Sequence, residues 1–184
     1  MMTVNRNDSE TTGTLSEICA EVFSLILSLQ ASSDFGRAID LDRKVTKLLE
    51  KMEERAEELH FAREDVQRAK FALVAFIDET IMNSPWVSKN TWRKLQHLYF
   101  NTIIAGEEFF ERLERVRGDS SKAAVLEIYY LCLMLGFKGK LERSPKEHQD
   151  YIDEICKKIK SKPINHQLSP NGGPRKFVDK GRPK

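Results

Sequence analysis

The chain is poor in the residues from which small active sites and covalent frameworks are usually built. Its three cysteines, Cys19, Cys132 and Cys156, are odd in number and form no CxxC. That argues against a disulfide or metal framework and for a reducing compartment, with Cys132 a core residue inside an apolar run. The four histidines, His60, His97, His148 and His166, fall in different segments without HExxH spacing, and GxSxG, P-loop and GxGxxG motifs are missing. Charge of one sign is lacking too. The net charge is +2 over 184 residues, so no global field favours nucleic acid. The longest apolar run, Ile128 to Phe137, has ten residues, half of what a membrane-spanning helix needs (~20). The start of the chain, Met1 to Gly13, is polar and has no apolar signal core, and reads as disordered. No cofactor or metal is implied.

What is present is helical pattern. No stretch alternates with period two, which gives an all-α expectation of seven or eight helices over residues 14–160. Thr14-Leu-Ser-Glu17 is a capping box, and Leu15, Ile18, Val22, Leu25 and Leu29 carry the first helix to about Gln30. The second starts near Asp40, with an apolar stripe of Leu41, Val45, Leu48, Met52, Ala56 and Leu59. No glycine or proline occurs between Arg37 and Ser84, so a break is placed between His60 and Glu64 on length alone.

The third helix holds the organising stretch, Ala69 to Trp86. Phe71 to Ile77, including Phe76, is apolar on every face, which marks a central buried helix. Asp78 and Glu79 follow at once, and Pro85 stops the helix. Two carboxylates at the negative end of a helix need partners, and neighbours diverge by about 100°, so they cannot share one substrate atom as an acid/base pair. After a loop to Asn90, a fourth helix carries Trp92, Leu95, Tyr99 and Ile103 and breaks at Ala105-Gly106. A fifth runs from Glu107 to Arg117 with Phe109, Phe110, Leu113 and Val116 inward. Ser120 or Ser121 caps a sixth, apolar all round, which should pack on the third. Ser144-Pro-Lys-Glu147 reads as a second capping box for the last helix.

The FF pair reads as core, Gly136 and Gly139 as a helix stop and a turn, and Trp86 and Trp92 as core or cleft lining. Glu107 suits a helix N-terminus, and Glu127, in mid-helix before an apolar run, would need a partner. From Lys157 to Lys184 there are nine basic residues, one acid and four of the six prolines. Residues 161–184 therefore read as a basic linker or juxtamembrane arm. A nucleic-acid arm is the competing reading, but Phe177 is its one aromatic, too few for a stacking platform.

The ordered set Ala72-Leu-Val-Ala-Phe-Ile-Asp-Glu79, Trp86, Trp92, Leu95-Gln96, Phe100, Gly106-Glu107 with Phe109-Phe110 and Leu113, Glu127, Tyr130, Cys132-Leu133 and Leu135-Gly-Phe-Lys-Gly139 goes further. It resembles the cytoplasmic domain of the TssL family of type VI secretion, called DotU or IcmH in related systems. Lys140-Leu141 departs from that pattern, where the family has Arg-Tyr. The resemblance implies two packed three-helix bundles with a cleft between them. It implies a non-enzymatic structural component at the cytoplasmic face of the bacterial inner membrane, held by a C-terminal transmembrane anchor that this chain lacks. Its partners would be a TssM (IcmF-like) membrane protein and the TssK baseplate component, with self-association a further option. Asp78, Glu79, Trp86 and Trp92 are the residues expected to line the cleft and take part in docking.

Overall fold

The computed structural model describes residues 13–161. The expectations for the polar start and the basic tail lie outside the described residues. Among those described there are seven α-helices and no strand: α1 Leu15–Gln30, α2 Ala38–Glu58, α3 Arg63–Asn83, α4 Leu95–Phe100, α5 Ala105–Gly118, α6 Ala123–Met134 and α7 Pro145–Lys160. Three short 3-10 turns, Val87–Thr91, Ser120–Lys122 and Gly139–Leu141, join them.

Two helix stops explain how the chain divides. At α1 the capping box forms as the sequence indicates: Thr14 Oγ1 accepts from the Glu17 N–H, and Glu17 Oε2 accepts from the Thr14 N–H at 2.8 Å. At the end of α2, the Phe61 N–H donates to Ala56 O and the His60 N–H to Glu57 O, both at 2.9 Å. This is a Schellman stop in which His60, at φ 59°, takes the left-handed position usually given to glycine. The same pair of bonds ends α6, where Gly136 (φ 110°) holds the left-handed position and the Phe137 N–H reaches Cys132 O.

The two all-round apolar helices form the centre. Every residue from Ala69 to Asp78 on α3 is buried. α3 packs against α1, α2, α4, α5 and α6, and its association with α6 is extensive. Thus α1, α2 and α3 make one bundle and α5, α6 and α7 the other, joined through α3 and α6. The one charged side chain at the start of the buried run, Lys70, donates to Glu53 at 3.0 Å and lies over the Tyr99 ring, 4.1 Å from its centroid. The stretch Ser120–Leu141 is long and apolar enough by composition to cross a membrane (mean hydropathy 1.3). Here it comprises two 3-10 turns around α6, and α6 packs on α1, α3, α5 and α7.

Several local expectations are corrected. α4 starts at Leu95, not at Trp92, whose backbone is extended, and it ends at Asn101 in the left-handed region. Ile103 is 76% exposed, so the apolar spacing of 92, 95, 99 and 103 did not mark one helix face. Ala105 and Gly106 open α5 and do not break a helix. Asp119, not a serine, caps the turn before α6: its Oδ1 accepts from the Ser121 N–H at 2.8 Å. Ser144 makes no side-chain cap on α7. On α2 the buried position is Leu49, and Leu48 is half-buried.

Gly106 and Gly139 have a shared reason to be glycine. A Cβ on Gly139, at φ 50°, would lie 2.5 Å from Gly106 O, and a Cβ on Gly106 would meet the Gly139 Cα at 3.3 Å. The two backbones touch where α5 meets the turn after α6, beneath the rings of Phe109, Phe110 and Phe137. All three rings are buried, as are Phe71 and Phe76.

Two stability measurements check this packing. Phe76→Ala should lower unfolding free energy by ~3–5 kcal/mol in urea titration, the range for a fully buried aromatic. A loss within ~0.5 kcal/mol would place Phe76 at the surface. Gly139→Ala should cost more than ~1 kcal/mol because it adds both a clash and a left-handed side chain. Gly118→Ala, with nothing within 4 Å of its added carbon, should lie within about 0.5 kcal/mol of the parent.

Candidate functional site

A groove of about 290 Å³ opens where the two bundles meet. Its walls are the C-terminal ends of α1 (Leu29, Gln30) and α3 (Phe76, Glu79, Thr80, Asn83) and the chain leaving α6 (Gly136, Lys138, Glu142). Gln30 ties the walls together, because its Nε2 donates to Leu135 O at 3.0 Å.

Of the four residues expected in the cleft, Glu79 lines it, and Asp78, Trp86 and Trp92 are buried beneath the surface. The two carboxylates leave α3 in different directions. Asp78 Oδ1 accepts from the Trp92 indole N–H at 2.9 Å and the Leu95 N–H at 3.0 Å, and Oδ2 accepts from the Gln96 N–H at 2.8 Å. Asp78 is therefore the N-terminal cap of α4, supplied from another helix. Its charge meets free N–H groups at a positive helix end. Burial pushes its carboxyl above the ordinary range, and the Gln96, Trp92 and Leu95 donors pull it back. Gln96 extends the arrangement: its Oε1 accepts from the Ala105 N–H at 3.0 Å, fixing the start of α5.

Glu79 serves the other bundle. Its Oε1 accepts from the Lys138 N–H at 2.9 Å and its Oε2 from the Gly139 N–H at 2.7 Å. Burial raises its carboxyl too, against those two N–H donors, and nearby Glu142 adds to the rise. From the opposite side His148 Nε2 donates to Phe137 O at 2.6 Å. The segment Phe137–Gly139 is thus held by a carboxylate on its N–H groups, an imidazole on its carbonyl and the Gly106 contact below.

Trp86 is fixed by its indole N–H to Gly36 O at 3.2 Å and by the Phe35 ring, 5.2 Å between centroids. Glu107 is exposed in the first turn of α5, where neighbouring Glu108 takes the bond from Thr102 Oγ1 at 2.7 Å. Glu127 is half-buried on α6 and does not line the groove, and among the described residues its carboxylate has no hydrogen-bond partner. Sequence reasoning named Gln30, Gln96 and His148 but missed the bonds they make. Their partners lie 105, 9 and 11 residues away, which no periodicity encodes. Among the described residues no three His, Cys, Asp or Glu side chains gather as a metal-ligand set.

If Asp78 caps α4, Asp78→Asn should cost about 1.5–3 kcal/mol, because the amide turns donors toward an N–H it should accept from. Urea unfolding measures this, and a change below about 0.5 kcal/mol would contradict the cap.

Known proteins share this fold. The family model for type VI secretion system protein DotU matches residues 14–182. The fold is similar to the cytoplasmic domain of TssL from Acinetobacter baumannii, at 30% identity and TM-score 0.76, covering 81% of this chain and 98% of that one. It is also similar to SciP/TssL of Escherichia coli Enteroaggregative 042, at 24% identity and TM-score 0.67, covering 77% and 84%. The DotU structure of Francisella novicida matches at 20% identity and TM-score 0.66, covering 79% and 98%. Among curated protein sequences none matches at a significant level. With a family model over most of its length and a 30% identical structural relative covered almost whole, the chain belongs to the DotU (TssL) family of type VI secretion system proteins.

Proposed function

We propose that the chain is a cytoplasmic scaffold of the type VI secretion membrane complex, not an enzyme, and that it docks the TssK baseplate component and a TssM (IcmF-like) inner-membrane protein through the groove between its bundles. The observation that carries this reading is Glu79, a carboxylate at the groove wall whose two bonds fix the facing segment. Packed helices present a surface of fixed shape without moving catalytic parts, which suits a platform between a membrane complex and a baseplate. Asp78, Trp86 and Trp92 contribute from below: they hold α4 and the α3 terminus, so they act through the shape of the groove. The basic stretch that follows α7 fits the cytoplasmic side of an anionic leaflet, where each Lys or Arg near the surface contributes about 1 kcal/mol.

Two experiments test this. In pull-downs of TssK and TssM with the full chain, Glu79→Lys should weaken capture by at least about tenfold while the far-ultraviolet helix signal is kept. Glu107→Lys, exposed and away from the groove, should bind as the parent does. Normal capture by a folded Glu79→Lys protein would overturn groove docking. In cells, the native protein should fractionate with the inner membrane, with α2 protected from protease added on the periplasmic side. Cleavage within Ala38–Glu58 under those conditions would reverse the topology and remove the scaffold reading.

A further inference from the structure

Three helices end at the groove, and none has a cation in its last turn. The last turns of α1, α3 and α6 contain no basic residue. The other long helices do the opposite: α2 carries Arg55 there, α5 Arg115 and Arg117, and α7 Lys157, Lys158 and Lys160. Such cations offset the partial negative charge of free helix carbonyls, and Lys158 donates to Arg117 O at the end of α5. At the groove, which α1 and α3 line directly and α6 reaches through Gly136, that offset is missing. Lys89 answers the Ser84 carbonyl at 2.8 Å, but from outside the lining. One carbonyl stays open. Pro85 has no N–H to give and the Trp86 N–H goes to Ser84 Oγ at 3.3 Å, so among the described residues no backbone donor reaches the Asn83 carbonyl.

Two carboxylates add to this negative field. Each Glu79 oxygen accepts one N–H, from Lys138 and from Gly139, and a carboxylate has about four acceptor sites, so each oxygen keeps another. Glu142 is exposed and pairs with no cation among the described residues. Burial holds the Glu79 carboxyl above its ordinary range, and the charge of Glu142 adds to the rise. A cation placed near both would relieve the burial cost and the repulsion together. Gln30, Thr80 and Asn83 contribute neutral acceptor oxygens to the same walls. Against these, Lys138 is the one cation in the lining. Lys140, Arg143 and Lys146 are exposed on the connection to α7 and do not line the groove.

We infer that the groove receives a basic segment of a protein partner, whose arginine or lysine side chains enter between Glu79, Glu142 and the carbonyl ends of α1 and α3. The inference rests on the scaffold reading for the existence of such a partner and adds its chemistry. Charge complementarity selects the sign of the occupant, and the acceptors select its donors. They come from several sides of one concavity, which suits a guanidinium with its five N–H donors or an ammonium with three. A volume of about 290 Å³ lies just below the usual range for a small-molecule site, ~300–1,000 Å³, and fits side chains carried in on a segment. A metal ion is poorly served, because two carboxylates, one already bonded to two N–H groups, are too few ligands. The same chemistry explains why charge reversal at Glu79 should weaken capture of a partner.

The test uses the full chain and a hexa-arginine peptide as the probe, read by the backbone amide spectrum during titration. The expected result is saturable shifts at Gln30, Thr80, Asn83 and Gly136. Glu142→Lys should weaken that binding by at least about fivefold, and Lys138→Gln, which removes the one cation of the lining, should tighten it by about two- to threefold. Glu111→Lys makes the Glu142 charge change at an exposed α5 position outside the lining and should leave binding within about twofold of the parent. Equal losses in Glu142→Lys and Glu111→Lys would mean bulk charge alone and would overturn the proposal. Shifts of the groove amides by hexaglutamate and not by hexa-arginine would also overturn it. A further arm asks whether the chain fills its own groove. Arg175→Glu with Lys176→Glu, studied without peptide, should leave the four groove amides in place; their movement would assign the groove to the basic tail and remove the partner segment. The outcome is separable from the scaffold test. Failure of TssK and TssM capture by the parent chain would remove the scaffold while leaving the peptide result standing. Loss of the peptide result with capture intact would remove only the basic segment.

Discussion

At the C-terminal end of α3 two adjacent carboxylates gather backbone N–H groups from two different parts of the chain. Asp78 takes those of Leu95 and Gln96 with the Trp92 indole, and Glu79 takes those of Lys138 and Gly139. The negative helix end opposes each carboxylate by roughly 0.3–1 kcal/mol, and burial opposes them further. Charge-assisted bonds worth about 1.5–3 kcal/mol each outweigh that opposition when two or three act on one group. The cost is thereby turned to architectural use: α4 starts where Asp78 allows it to, and the chain between α6 and α7 lies where Glu79 holds it. Both bundles are registered to the central helix through one dipeptide.

This arrangement depends on the apolar joint behind it. From Ala69 to Asp78 α3 is enclosed on every side, α6 buries Val125, Leu126, Ile128, Tyr129, Cys132 and Leu133 while Met134 stays exposed, and the α3–α6 contact makes one continuous core out of two bundles. Divergence of the carboxylates follows from helix geometry once the joint is set. One points toward the α4 side, the other toward the α6 exit, and the groove is the space left between the bundle ends. One wall of that groove is fixed by the Glu79 bonds to Lys138 and Gly139.

The all-α class, the central position of α3 and the burial of Phe71 to Ile77 were legible because hydrophobic periodicity is a local signal. So was the α1 capping box, since its two partners are three residues apart. The break after α2 was legible only through length, because His60 fills a left-handed position that glycine normally announces. α4 was misread for a non-local reason. Trp92, Leu95, Tyr99 and Ile103 share helical spacing, yet the Asp78 carboxylate sets the helix start at Leu95 and Asn101 ends it. Gly106 read as a breaker, and its true constraint is the backbone of Gly139, 33 positions later in the chain and invisible to any window. Asp78 and Glu79 stood out as a pair in need of partners. Which partners each would find, and that only Glu79 would reach the groove, required the fold.

The central claim is that the two carboxylates hold these four backbone N–H groups, and amide hydrogen exchange reads it directly. Leu95, Gln96, Lys138 and Gly139 all lie at helix starts or in a turn, where N–H groups lack the usual helical acceptor. In the parent protein all four should exchange slowly, as hydrogen-bonded amides do. Glu79→Gln should speed exchange at Lys138 and Gly139 while leaving Leu95 and Gln96 protected. Fast exchange at all four amides in the parent, or no difference between the two pairs in the variant, would contradict the account.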